Sequence, residues 1–365
     1  MTRTSLFMQL LPVLLAATAA QAAGGTPHLR DLPERPDTLT ISGYRPDSIP
    51  VRRPADSATI RLRPFIRPPY LQEGDTVGIV SPAGRMPKRS DTAKVRERIE
   101  SWGLHVKFGA HYADREQPYF AGTDAQRAAD LQQMIDDPSV KAVIAYRGGY
   151  GSVRLLPLLR LEGLREHPKW IVGFSDITLL HLVLRRLGVE SIHGAMPGSF
   201  VFDEEDPSAE SLREALFGLR DTIATPPHPL NCPGTASGRL AGGNMVQLLA
   251  AMGTPEELEV DTPTVLFIEE VGEFVYRIDR MMQSLLRSGK LRNLRAVIVG
   301  HFSDMQGLER FGVTDPYEVL DPYLRPLGIP VVYGFPAGHA APNRSLYMGR
   351  EVTVEVDGQG ARVRF

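Results

Sequence analysis

The sequence predicts an α/β protein: an N-terminal, doubly wound, mainly parallel sheet domain, then a smaller C-terminal α/β domain with a β-rich core. Three observations predict it. Nearly continuous apolar runs stand at 76–80, 140–146 and 170–173, as strands buried on both faces require. Helix-period segments alternate with these runs, the order of a parallel sheet wound by helices. An acidic and then proline-rich stretch at 203–237, with Pro226, Pro227, Pro229 and Pro233, then reads as a crossover to a second set of strands and helices.

Along the chain, the first 22 residues read as a cleavable leader. Arg3 is followed by an apolar run at 6–17 and the A-x-A site Ala20-Gln21-Ala22. The run is shorter than the ~20 residues of a membrane span, and no cysteine follows it to carry a lipid. The mature chain is therefore expected to be exported, to a periplasm or beyond. Residues 23–66 are rich in proline, arginine and aspartate, the composition of a flexible lead-in. The first domain, 67–202, opens with a strand at 76–80 ending in Ser81-Pro82-Ala83-Gly84. Val95, Ile99 and Trp102 have helical spacing within 91–102, and Gly103 ends that helix. A strand follows at 105–110. Thr123 and Gln126 then form a capping box that opens a helix running to 136. Strands at 140–146, 170–173 and 190–193 follow, with a helix at 176–187.

In the second domain, 238–365, Gly242-Gly243-Asn244 is expected to open a helix at 245–252 closed by Gly253. A strand at 264–269, a helix at 276–288 and strands at 296–300, 331–333, 351–356 and 361–365 complete it.

The full chain has 365 residues, 42% hydrophobic and 23% charged, which fits about two globular domains. A net charge of −2 gives no global footprint for nucleic acid. Cys232 is the only cysteine, so neither an intrachain disulfide nor a cysteine-cluster metal site can form.

Sites in such sheets form at the carboxyl ends of strands. The run 170–173 ends in Gly173-Phe174-Ser175-Asp176, a serine at a strand-to-helix turn whose amides could bind an oxyanion. The same pattern also suits a plain helix N-cap. It is not the G-x-S-x-G of α/β-hydrolases. Arg147-Gly148-Gly149-Tyr150-Gly151 follows another strand, and its glycines suit either a structural turn or an anion cradle. Glu269, Glu270 and Glu273 follow the strand at 264–269. Glu269 could orient a histidine, although a solvated loop of acids is the simpler local reading. His339 sits in a Gly/Pro loop, with His193 and His301 as rivals at strand ends and His181 on a helix. No H-E-x-x-H or comparable spacing supports a zinc hydrolase.

Six segments in order now coincide with a known pattern: Gly74-Asp75-Thr76-Val77 with Ser81-Pro82-Ala83-Gly84; Arg147 to Gly151; Gly173 to Thr178; Gly238 to Asn244; Glu269 to Glu273 with Tyr276 to Arg280; and Gly338-His339. With these the chain resembles the LD-carboxypeptidases, or murein tetrapeptide carboxypeptidases, a family of serine peptidases, from about residue 68 to about 354. The resemblance implies an active site in the cleft between the domains. It implies Ser175 as nucleophile, His339 as general base and Glu269 as the acid that orients it. It implies the amides of Asp176 and of Gly148 or Gly149 as oxyanion donors. Arg147, Tyr150, Asn244 and Arg277 become substrate-binding candidates, with Arg147 or Arg277 reading a terminal carboxylate. The implied substrate is a murein peptide ending in D-alanine, with no metal or organic cofactor and no nucleic acid. Members are often dimers, which makes a homodimer an expectation here. Ala195 stands where the family commonly has proline, Asp279 where many members have glutamate, and Glu270 where many have aspartate. Two other readings remain: a self-immunity peptidase of the same family acting on peptide–nucleotide conjugates, and a non-catalytic solute-binding protein.

Overall fold

A computed structural model describes residues 65–87, 92–200, 205–260 and 262–365. The expected leader at 1–22 lies outside the described residues, as does the lead-in at 23–66 except Phe65 and Ile66. In chain order the first half runs β1 (Thr76–Val80), α1 (Thr92–Glu100), β2 (His105–Phe108), α2 (Asp124–Asp136), β3 (Val140–Ala145), β4 (Trp170–Gly173), α3 (Thr178–Leu187), β5 (Ser191–His193) and α4 (Pro197–Phe200). Then come α5 (Pro207–Phe217), β6 (Thr222–Thr225), β7 (Gly234–Asn244), α6 (Met245–Ala250), β8 (Thr264–Val271) and α7 (Val275–Arg287). The chain ends with β9 (Leu294–Ser303), α8 (Leu308–Phe311), α9 (Tyr317–Leu324), β10 (Val331–Val332), β11 (Leu346–Met348), β12 (Glu351–Asp357) and β13 (Gly360–Arg364). Among the described residues no helix is long and apolar enough to cross a membrane.

The strands form two sheets. The first has the order β11-β5-β4-β3-β1-β2, parallel except where β11 joins β5 antiparallel. The second, β10-β9-β8-β7-β12-β13-β6, is parallel from β10 to β7 and antiparallel beyond. Apolar runs explain the parallel halves. Val77 and Ile79 of β1 join one core with Val95 and Ile99 of α1, while Val80 joins the other with Leu131 and Met134 of α2. A strand with a core on each face has no polar face to show. In the second sheet, Leu266 and Ile268 of β8 pack against Met245, Ile278 and Met282, and Val265 and Phe267 face Val352 and Val354.

The crossover at 203–237 carries more structure than its composition suggests. Asp206 caps α5 by accepting from Ser208 N, Pro207 occupies the first turn, and Ala209, Leu212, Ala215 and Leu216 enter the first core. Acids at a helix start stabilise it, so they do not mark a linker. Likewise Gly242-Gly243-Asn244 ends β7 before Asn244 caps α6. Glycine-rich strands lack the β-branched pattern that reveals others.

Leu346–Met348 return to the first sheet before β12 enters the second, so two parallel-sheet units share one C-terminal segment. The join is pinned by charge. Arg350 Nη2 and Nε lie 2.6 and 2.9 Å from Glu190 Oε2, with the guanidinium stacked on the Tyr347 ring. Both side chains are buried. Removing one partner of a buried pair strands the other charge, which costs about 3–5 kcal/mol. Arg350→Met is therefore expected to lower the thermal unfolding midpoint by several degrees, read by circular dichroism against the wild type.

Candidate active site

β4 is buried throughout and delivers Ser175 at its carboxyl end. The serine has φ +62°, one of three non-glycine residues in the left-handed region among those described. That conformation costs roughly 1–3 kcal/mol and persists where surrounding structure enforces it. It also removes the helix-cap alternative. Phe174 and Ile177 occupy the cap positions of the 3₁₀ turn and of α3, and neither makes a side-chain capping bond.

The turn is enclosed from the β3 side. A Cβ on Gly148 would lie 2.9 Å from Ser175 Cβ, 3.1 Å from its Oγ and 3.4 Å from Asp176 N. Only glycine lets the β3 loop come so close, and it brings the backbone of Gly148 beside the serine oxygen and the Asp176 amide. Gly149 lies further out, near Gly84 and the Tyr119 hydroxyl. Asp176 is fully buried. Its carboxylate accepts from Ser152 N at 2.8 Å and Gln247 Nε2 at 3.3 Å, and Ser152 Oγ donates to its carbonyl at 2.8 Å. Burial raises its pKa, and the bonds from Ser152 counter the rise. The side chain thus anchors the turn, leaving the backbone for chemistry.

The acid and the base come from the second sheet. Glu269 lies on β8 with no solvent exposure, and its Oε2 is 2.6 Å from His339 Nδ1. A Cβ on Gly338 would sit 2.8 Å from that oxygen, so the histidine loop closes over the carboxylate only because position 338 is glycine. Burial works against the His339 cation, but the hydrogen bond and charge of Glu269 outweigh it and raise the pKa above the ordinary 6.5. With Nδ1 engaged by Glu269, Nε2 is left for a proton donor. The His339 ring packs edge-on against Phe174, the residue before the serine, with centroids 4.9 Å apart.

The rival histidines are placed otherwise. His193 is fully buried against Phe174 and Phe267, and its pKa is pushed well below 6.5 by burial and by neighbouring His181 and His339. His181 is buried too, with Nε2 against Gly173 O at 2.9 Å and Nδ1 against Ser191 Oγ at 2.8 Å, and burial lowers its pKa to about 4. His301 Nδ1 accepts from Ala340 N at 3.3 Å, and burial lowers its pKa. It buttresses the His339 loop.

The expectation of solvated acids is corrected at Glu270, which is buried. Strand β8 runs two residues past 269 and is covered on both faces, so the carboxylates of Glu269 and Glu270 are both buried. Glu270 accepts from Asn244 Nδ2 at 2.8 Å, Val246 N at 2.8 Å and Val271 N at 3.0 Å. Burial, with a contribution from the Glu269 charge, raises its pKa to about 7. Asn244 is buried as well, and its N–H donates to Thr178 Oγ1 at 3.1 Å.

Of the remaining candidates, Arg147 is half-buried beside Gly84, and its Nη1 donates to Arg85 O at 3.3 Å. Tyr150 is exposed and packs on Tyr119 and Phe120. Arg277 is not brought to the serine by any of its contacts. It pairs with Glu273 at 3.1 Å and lies against Phe274 and Tyr276. Among the described residues, no three His, Cys, Asp or Glu side chains converge to hold a metal ion.

One contributor was not singled out from the sequence. Arg127 is buried, and its guanidinium donates to Pro82 O in the loop after β1, to Gly151 O in the loop after β3 at 3.2 Å, and to Asp124, while stacking on Phe120. It fixes both loops that border the serine. An arginine four residues after a helix cap gives no sign of this in sequence.

The family models match in two segments, the LD-carboxypeptidase N-terminal domain over residues 77–194 and the LD-carboxypeptidase C-terminal domain over 237–354. A putative carboxypeptidase of Synechocystis is 37% identical over 305 residues, spanning 82% of this chain and 97% of that protein. The murein tetrapeptide carboxypeptidase of Pseudomonas aeruginosa is 31% identical over 302 residues, spanning 79% and 94%. The crystal structure of a muramoyltetrapeptide carboxypeptidase from Oxalobacter formigenes superposes with a TM-score of 0.71 at 29% identity, covering 79% of this chain and 97% of that one. A serine-bearing turn on one sheet, a buried carboxylate–histidine pair on the other and both family domains in sequence order lead to one conclusion: the chain is a serine-type carboxypeptidase of the LD-carboxypeptidase family.

Proposed function

We propose that this carboxypeptidase hydrolyses the bond between an L-centred residue and a terminal D-alanine in murein tetrapeptides, with Ser175, His339 and Glu269 as its triad. We further propose that it acts outside the cytoplasmic membrane, on the strength of the leader-like first 22 residues. The observation that carries the mechanism is the Glu269–His339 pair, 2.6 Å apart, packed on Phe174 beside a serine held at φ +62°.

In this mechanism neutral His339 accepts the Ser175 hydroxyl proton on Nε2 as Oγ attacks the scissile carbonyl. Glu269 holds the ring in the Nδ1–H tautomer and stabilises the imidazolium that forms. The oxyanion of the tetrahedral intermediate takes hydrogen bonds from Asp176 N and a Gly148 or Gly149 amide, each worth about 3–4 kcal/mol in comparable sites. Collapse breaks the C–N bond, and Nε2 gives its proton to the departing amine of D-alanine. Water then adds to the acyl-enzyme, passing a proton to Nε2, and collapse returns the proton to Ser175 Oγ. His193 packs behind the site against Phe174 and Phe267, where burial lowers its pKa and disfavours its cation.

Ser175→Ala is expected to reduce D-alanine release from a muropeptide tetrapeptide by roughly 10⁴-fold or more, with His339→Ala as damaging and the double variant no worse. Retention of wild-type turnover by Ser175→Ala would overturn the triad. His301→Ala is expected to lose far less, since it acts only through the loop. Turnover of a peptide–nucleotide conjugate with none of the tetrapeptide would replace the murein reading with the self-immunity one.

The pH profile separates the two adjacent acids. The base must be neutral, and its folded-state pKa is raised, so kcat/KM is expected to rise with pH through a midpoint above 6.5. Glu269→Gln removes the charge that raises it, so the midpoint should fall along with the maximal rate. Glu270→Gln should move the midpoint less, because its carboxyl is tied to Asn244 and Val246 instead of the imidazole. An equal shift in both variants would assign the limb to the acid pair.

A further inference from the structure

We propose that Asn343 is a positioning residue for the catalytic base, anchored in that role by α5 of the crossover. The proposal rests on the Ser175, His339 and Glu269 reading above and adds to it what holds His339 in place.

The base stands behind a residue that cannot hold itself. Gly338, directly before His339, has φ +125° and lies over Glu269, where a Cβ would be 2.8 Å from Oε2. That contact requires glycine, the residue with the freest backbone. The restraint comes from Asn343. Its Oδ1 accepts from Gly338 N at 2.9 Å, so the side chain spans the loop and orients the peptide leading into His339. Arg344 N closes the same loop on Pro336 O at 2.7 Å. Gly338 and Asn343 are both buried, so losing the Asn343 amide would strand a buried N–H.

Asn343 is in turn tied to the first sheet. Ser208 Oγ donates to Asp206, which turns its lone pairs toward Asn343 N, and it accepts from that amide at 2.8 Å. Ser211 Oγ accepts from Ser345 N at 2.9 Å, and Ala215 O accepts from the Tyr347 hydroxyl at 2.8 Å. Residues 208, 211 and 215 share one face of α5. Their partners 343, 345 and 347 are alternate residues running into β11. Ala209, Leu212 and Leu216 of the same helix lie in one core with Trp170 and Val172 of β4, the strand that delivers Ser175. A helix packed against the nucleophile's strand therefore fixes the loop that carries the base.

Four titratable groups bear on the His339 ring: Glu269 and Glu270 from β8, His193 from the end of β5 and His301 from β9. Asn343 acts on two of them. It holds the glycine that covers Glu269, and it favours the His193 cation against burial. The Glu269–His339 bond depends on the approach of a loop whose entry Asn343 sets. Releasing that entry loosens the bond, which displaces the base and withdraws the support that Glu269 gives its cation.

The test uses full-length protein with Asn343→Ala, Asn343→Asp and Ser208→Ala. Asn343→Ala is expected to lower kcat for D-alanine release about ten- to hundredfold, with KM changed about twofold or less, because the substrate does not touch it. The pH midpoint of kcat/KM should fall, since the contact that raises it is weakened. Asn343→Asp keeps an oxygen acceptor for Gly338 N and should restore much of kcat, with a midpoint no lower than that of the wild type. Ser208→Ala should lose about fivefold in kcat, and adding it to Asn343→Ala should cost little more, as expected for residues acting in one chain. The His339 pKa, followed by 15N NMR in a Ser175→Ala background, should drop on Asn343→Ala, a readout that needs no turnover. A lower melting temperature with unchanged kcat per folded enzyme and unchanged His339 pKa would mark a merely structural contact and overturn the proposal. Should Asn343→Ala not fold, wild-type kcat in Ser208→Ala overturns it. The two readings fail separately. Full turnover by Ser175→Ala removes the triad, while an inactive Ser175→Ala beside a fully active Asn343→Ala removes only the positioning role.

Discussion

A seam of buried hydrogen bonds around Asn244 holds the catalytic parts in register. Its backbone donates to Thr178 at the start of α3, its side chain donates to Glu270 on β8, and one turn later Gln247 reaches Asp176 beside the serine. One short segment from the end of β7 into α6 thus touches the nucleophile's turn and the acid's strand at once. Polar groups buried this deeply must be paired, and a paired network has few alternative geometries. The seam therefore fixes how two separately wound sheets present their carboxyl ends to each other. α3 reinforces it, with Leu180 and Leu184 in the core of the first sheet and Leu179 and Leu182 in that of the second.

Within that frame, three buried carboxyl groups have three environments. Asp176 is held by Ser152 and Gln247 and anchors a turn. Glu269 faces a histidine whose cation it favours. Glu270, one residue later on the same strand, is ringed by Asn244 and backbone amides, and burial raises its pKa to about 7. Burying charge is unfavourable unless each is partnered. The three different partners are what give adjacent or similar acids different duties.

The loops beside the serine are governed by cations. Arg127 ties the loops after β1 and β3 together from within, neutralised by Asp124. On the open side, among the described residues, Arg85, Arg115 and Arg147 donate to loop carbonyls. One residue type thus appears in two states. The buried, paired guanidinium stabilises loop geometry from within, while the more exposed ones tie loop carbonyls together at the surface.

Much of this was legible in the sequence, and the limits follow from range. The runs at 76–80, 140–146 and 170–173, the capping box at Thr123 and the Gly103 stop after α1 are local signals, and each corresponds to a feature seen in the structure. Ser175, Glu269 and His339 could be singled out because each follows an apolar strand or sits in a Gly/Pro loop, and the order of six motifs joined them. The sequence by itself determined the strands and helices marked by apolar periodicity and caps, though not α5, β6, β7 or β11, and it placed the candidate residues at strand ends. Tertiary structure decided the rest: that Glu270 is buried and not solvated, that His193 is enclosed while His339 meets Glu269, that 346–348 rejoin the first sheet, and that Arg127 braces two loops. The reason is physical. Periodicity and capping are set by neighbours along the chain, whereas burial, partner choice and pKa are set by neighbours across it, and these exist only once the two sheets have met.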